Sequence, residues 1–101
     1  MYRLEQTDDY DRQINEVVDE ICRRNGPASA TRFLDLIDEL GERLRSSPRL
    51  YRVWQPRRKL KKTYRITHVW KYIILYRVDE AAENVTLCHI IHGARDFERL
   101  V

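Results

Sequence analysis

Three residues in the second half of the chain carry the chemistry most easily read from residue type and spacing. His92 can titrate near neutral pH and pass a proton as acid or base. Arg95 can hold a phosphate through paired hydrogen bonds and stabilise developing negative charge. Arg65, on an earlier strand, can reach the same side of a sheet. Together they form a candidate catalytic set. The same residues also read as a strand-end histidine beside an Arg95–Asp96 pair that locks the C-terminal tail.

A second constellation is the run Arg57, Arg58, Lys59, Lys61 and Lys62, five cations in six residues interrupted only by Leu60. Tyr51, Trp54, Tyr64 and Trp70 are interleaved around it. Cations neutralise phosphates, and aromatic faces stack on bases. Such a run also docks an acidic peptide, or simply solvates a loop and keeps an edge strand from self-pairing. Residue type leaves these three readings open.

Other chemistries find less support. Cys88, His89 and His92 look like metal ligands, but on a strand Cys88 and His92 would lie about 13 Å apart with His89 pointing away. Ligand atoms must come within roughly 2–2.3 Å of one ion, so no metal is expected. The three glycines are isolated, so no phosphate-cradling loop is expected, and no cofactor. Ser29, Ser46 and Ser47 occupy cap or turn contexts and read as helix punctuation.

The length of 101 residues fits one domain spanning 1–101. No apolar run approaches a bilayer span, and Met1–Asp9 lacks the apolar stretch of a secretory leader. Two distant cysteines, Cys22 and Cys88, make no disulfide framework, so a reducing, cytoplasmic setting without membrane contact is expected. The net charge of +3 conceals a division. Residues 1–44 carry eleven acids and six bases, whereas 45–101 carry thirteen bases and five acids. Eleven bases and no acid fall between Arg45 and Arg77, which points to an acidic or polyanionic partner for the second half.

The elements that must position these residues follow from periodicity. Tyr2 and Leu4 would share one face of a short first strand. Thr7 or Asp8 caps a helix whose stripe is Ile14, Val17, Val18, Ile21 and Cys22, ended by Gly26 and Pro27. Ser29 or Thr31 opens a second helix with the stripe Ala30, Phe33, Leu34, Ile37, Leu40 and Leu44, stopped at Ser46–Pro48. Gly41 inside it costs roughly 1 kcal/mol relative to Ala and implies close packing. After a basic connection from Arg49 to Lys62, strands are expected at Thr63–His68, Lys71–Val78 and Val85–His92, turning at Val69–Trp70 and Asp79–Asn84. Gly93–Val101 closes the chain as a loop or short terminal helix. The expected fold is two-layer α+β, ordered β-α-α-β-β-β, with an antiparallel sheet packed on a helical hairpin.

On these residues the sequence resembles a known family. Tyr72–Asp79 (YIILYRVD) and Val85–Asp96 (VTLCHIIHGARD) are similar to the C-terminal half of RelE/ParE toxins of type II toxin–antitoxin systems. The acidic helix hairpin followed by Ser47–Leu50 fits the same layout, and the ending His92–Asp96 is most similar to the ParE branch. The resemblance implies a small α+β toxin neutralised by a cognate antitoxin whose C-terminal segment folds as it binds. DNA contact is then expected only through the antitoxin. The RelE branch cleaves ribosome-bound mRNA with several cations. Arg65 and Arg95 match its cationic positions, whereas Thr67 and Ile73 stand where two others belong. The ParE branch poisons DNA gyrase and is not itself an enzyme. The resemblance therefore implies a ParE-like gyrase-binding growth inhibitor, with a RelE-like endoribonuclease using Arg65, His92 and Arg95 as the alternative. A third reading is an inactive regulatory binder that only complexes its antitoxin. Arg57, Arg58, Lys59, Lys61, Lys62, Trp54 and Trp70 are the expected contacts to target or antitoxin.

Overall fold

A computed structural model describes all residues, 1–101. The elements are β1 (Arg3–Gln6), α1 (Asp8–Asn25), α2 (Pro27–Ser46), β2 (Arg65–Val69), β3 (Tyr72–Asp79) and β4 (Asn84–His92). A short 3₁₀ turn follows over Phe97–Leu100. The α+β order β-α-α-β-β-β is as expected, and no helix is long and apolar enough to cross a membrane.

The sheet order is β1-β4-β3-β2. Strands β2, β3 and β4 form an antiparallel meander, while β1 pairs parallel with β4 from Arg3–Asn84 to Gln6–Leu87. The sheet is therefore mixed rather than wholly antiparallel. Parallel neighbours need a long crossover, and the helix hairpin with the first two meander strands supplies it.

Thr7 joins β1 to α1. Its N–H donates to the Leu87 carbonyl, continuing the ladder, and its Oγ1 accepts from the Tyr10 N–H as the helix cap. The acids Asp8, Asp9 and Asp11 occupy the first turn of α1, and Arg23 and Arg24 the last, both favoured by the helix dipole. Only Gly26 separates the helices. It sits at φ +93°, in the region that disfavours side chains, and makes the corner alone. The second helix starts at Pro27 rather than at Ser29 or Thr31, because proline's fixed φ suits a first helical position.

Phe33, Ile37, Leu40 and Leu44 of α2 join Val17 and Ile21 of α1 over Ile74, Tyr76, Val85, Leu87 and Ile90 of the sheet. A β-carbon at Gly41 would lie 2.9 Å from Leu4 Cδ2, so the glycine lets α2 approach β1. The other sheet face also carries a small core. Trp54, Ile66 and Leu75 are buried there beneath Leu60, Tyr64, Phe97 and Val101. The C-terminal tail thus wraps onto the face that the helices leave uncovered.

Candidate functional site

Alternation along β3 puts Tyr72, Ile74 and Tyr76 against the helices and Ile73, Leu75 and Arg77 on the outer face. Arg65 pairs with Tyr76 and Thr67 with Ile74, so both take the helix side. Arg65 is half-buried there, and its Nη1 donates to the Tyr51 carbonyl at 2.7 Å. His92 pairs with Tyr72 on the same face. Four residues along β3 and two strand spacings separate Arg65 from His92, a backbone distance of roughly 16 Å. Buried Tyr72, Ile74 and Tyr76 fill the space between. Arg65 is not brought to His92 and Arg95, and Ile73 faces the opposite side from both Arg65 and Thr67.

His92 and Arg95 do come together. They line a cleft of about 460 Å³ between α1 and the end of β4, with Arg12, Glu16, Glu20 and Tyr72 on its walls. The His92 ring stands edge-on to Tyr72 at 5.4 Å between centroids. Its Nδ1 accepts from the Ala94 N–H at 3.0 Å, so the neutral ring carries its proton on Nε2. The free ring nitrogen is therefore a donor rather than a base. The Arg95 N–H donates to the His92 carbonyl and closes the turn that sends the tail across the sheet.

The bulge between β3 and β4 changes the reading of Cys88 and His89. Leu75 pairs with His89 and Tyr76 with Leu87, leaving Cys88 as the extra residue. His89 thus falls on the outer face and His92 on the helix face, without the uninterrupted alternation that a regular strand would give. No three His, Cys, Asp or Glu side chains converge on a metal-holding point.

His89 is a buried polar group. Gln13 Oε1 accepts from the Ile90 N–H at 3.0 Å, which fixes the amide's orientation. Gln13 Nε2 then donates to His89 Nδ1 at 3.4 Å. Burial pushes the His89 pKa below its ordinary value, with Asp9 opposing and Arg12 reinforcing the shift. Burial likewise pushes the Cys88 thiol up, against the nearby cations Arg77 and Lys62. Tyr64 packs edge-on to His89 at 6.2 Å, and burial raises its phenol.

Arg57, Arg58, Lys59 and Lys62 of the basic run line a second cleft of about 390 Å³, with Trp54, Thr63 and Tyr64. Arg57, Arg58, Lys59, Lys61 and Lys62 are all exposed, and none of their side chains is in an ion pair. The acidic half, in contrast, holds four of the seven ion pairs between neighbouring turns of α1, and Glu42 makes a fifth with Arg45 at the end of α2. The C-terminal tail anchors the basic loop. The Arg57 N–H donates to the Glu98 carboxylate, and the Arg58 guanidinium to the carbonyls of Glu98 and Val101 at 2.9 Å each. Trp54 is buried under Phe97 and Tyr64, so its ring face is not presented to solvent. Trp70 lies elsewhere, at the β2–β3 tip, with φ +53° and its ring 5.2 Å from that of Phe33.

Comparison with known proteins adds to this geometry. The chain matches the family described as ParE toxin of type II toxin–antitoxin system, parDE, over residues 4–97. Among solved structures it is similar to the chromosomal ParDE toxin–antitoxin system from P. aeruginosa. That match has a TM-score of 0.69 and 17% identity, covering 91% of this chain and 96% of the other. It is also similar to the RelBE2 toxin–antitoxin complex from Mycobacterium tuberculosis, with a TM-score of 0.60 and 19% identity, covering 90% and 96%. No curated protein sequence matches.

Proposed function

The chain belongs to the ParE toxin family of type II toxin–antitoxin systems, and on that footing we propose that it is a ParE-type growth inhibitor that binds DNA gyrase. It acts as one toxin domain over residues 1–101, and a cognate antitoxin holds it inactive. The solved relatives with antitoxins in their complexes support that partner. The observation that carries the target reading is the dispersal of the cations a nuclease needs. Arg65 is held on the Tyr51 carbonyl, roughly 16 Å from His92, while Thr67 and Ile73 bring no charge. Each missing donor to a phosphorane commonly costs a hundredfold or more in rate. What remains, Arg95 beside a His92 whose free nitrogen is a donor, is a poor apparatus for activating a ribose hydroxyl.

The endoribonuclease reading keeps one specific support, since His92 and Arg95 share the 460 Å³ cleft. The two are separated by measuring gyrase supercoiling beside cleavage of mRNA on programmed ribosomes, with the purified full chain in both. Loss of supercoiling with intact message is expected. Message cut at defined codons while supercoiling proceeds would overturn the gyrase reading. If neither assay responds and cells tolerate expression, the chain is a regulatory binder only.

A further inference from the structure

The outer face of the sheet carries the basic run, expected from the sequence to contact target or antitoxin, and its own chemistry points to a further ligand. Its charge comes from Arg57, Arg58, Lys59, Lys61 and Lys62 on the loop and from Arg77 on β3, all exposed. Arg65 pairs with Tyr76, so Arg77, one residue further along β3, stands at the end of that ladder where the chain leaves Lys62 and Tyr64 to enter β2. None of the six is in an ion pair, and no acid lies between Arg45 and Arg77 in the sequence. Glu98 brings one carboxylate to the Arg57 N–H, but six cations gathered around it still repel one another, so the arrangement lowers its free energy when a polyanion arrives. The loop is also held in place. Backbone bonds from Trp54 to Tyr64 and from Ile66 to Arg52 fix its base, and the tail fixes Arg57 and Arg58.

An acidic peptide and a nucleic acid both offer negative charge, and two features distinguish them. A peptide partner gains affinity from apolar anchors and from strand pairing. Here the apolar seats on the outer face are already filled by the protein's own Leu60, Phe97 and Val101. The edge of β2 next to the loop is already paired, through Val53 opposite Arg65. Charge is thus offered beside a cleft lined mostly by polar and charged residues, and without a free ladder at that edge, which suits a phosphodiester backbone better than a peptide.

We propose that the Arg57–Lys62 loop together with Arg77 is a direct binding surface for the phosphate backbone of nucleic acid. It does not rest on the gyrase reading and requires neither the antitoxin nor a ribosome. Backbone contacts carry no base specificity, so binding is sequence-tolerant and strongly dependent on salt.

The test uses the full chain and fluorescent 20-residue oligonucleotides of dT and rU, with a 20-base-pair duplex, read by anisotropy. With about four phosphates neutralised, affinity should fall roughly 100-fold between 50 and 200 mM salt. The triple variant K59E/K61E/K62E should weaken binding at least tenfold and flatten the salt slope by about one per residue. The variant R23E/R24E/R32E makes the same change in net charge on the helices and should alter affinity less than about threefold. Both variants sit on exposed side chains, and a cooperative thermal transition well above the assay temperature confirms that each is folded. Binding of either polymer supports the proposal, the tighter one naming the source. Equal losses in the two triple variants would reduce the effect to net charge and overturn it. So would binding of a poly-glutamate peptide with none of any oligonucleotide, which would make the loop an acidic-peptide dock.

Discussion

Gln13 Oε1 lies 3.0 Å from the Ile90 nitrogen and accepts its hydrogen bond. The strand β1 pairs with β4 only as far as Leu87, so beyond that point β4 has no neighbour on that side. A side chain from α1 supplies the acceptor that a neighbouring strand's carbonyl would have supplied. The same amide steadies His89, and through β4 it bears on the position of His92.

Replacing Gln13 by Leu should leave the Ile90 N–H and His89 Nδ1 unpaired. An unsatisfied buried donor costs about 1–3 kcal/mol, so denaturant unfolding should shift by that amount. Gln13→Glu keeps an acceptor for Ile90 and should lose less. Equal stability in wild type and Gln13→Leu would show that water replaces the amide freely.

The pH dependence follows from His89, whose pKa burial depresses. Below its ordinary value near 6.5, the unfolded chain binds a proton that the folded chain resists. Stability should therefore fall as pH drops through that value and keep falling toward the lower folded pKa. Gln13→Glu, which sets a carboxylate beside Nδ1, should raise the His89 pKa and reduce the loss. Imidazole NMR titration and unfolding at pH 7.5 and 5 check both.

Tyr76 is fully buried on the helix face, and its hydroxyl donates to the Pro48 carbonyl at 2.9 Å. This bond ties the end of α2 to the central strand. Tyr76→Phe should cost roughly 1–2 kcal/mol, enough to lower Tm by about 4–12 °C in a domain of this size. A shift below 1 °C would show that the bond contributes nothing net.

Arg95 distinguishes mechanisms. It is exposed, and its backbone rather than its side chain makes the turn at His92. On the gyrase reading, Arg95→Ala should leave growth arrest in cells within about twofold, whereas a nuclease would lose at least a hundredfold. Growth curves with induced wild type and variant decide between them.

The two helices, the meander and the tail were legible because each rests on local chemistry. Thr7, Gly26 and Pro48 punctuate the helices, and the apolar stripes fall at helical spacing. The strand bounds moved by one or two residues, as ladder ends depend on what pairs with them. The parallel placement of β1 was not legible, because Arg3–Gln6 carries no mark of its partner's direction. The candidate set was legible in part. His92 and Arg95 are near in sequence and remained near, while Arg65 depended on register.

By itself the sequence determined the charge division, the helix hairpin and the strand-rich second half, since each is written in the types and spacing of adjacent residues. Only the tertiary structure decided which side chains share a face. One extra residue at Cys88 reverses the alternation of β4, sending His89 outward and His92 toward the helices. Pairing with Tyr76 turns Arg65 toward the helices, and the tail covers the outer face beside an unpaired basic loop. Those outcomes depend on contacts between residues far apart in the chain, which no local pattern encodes.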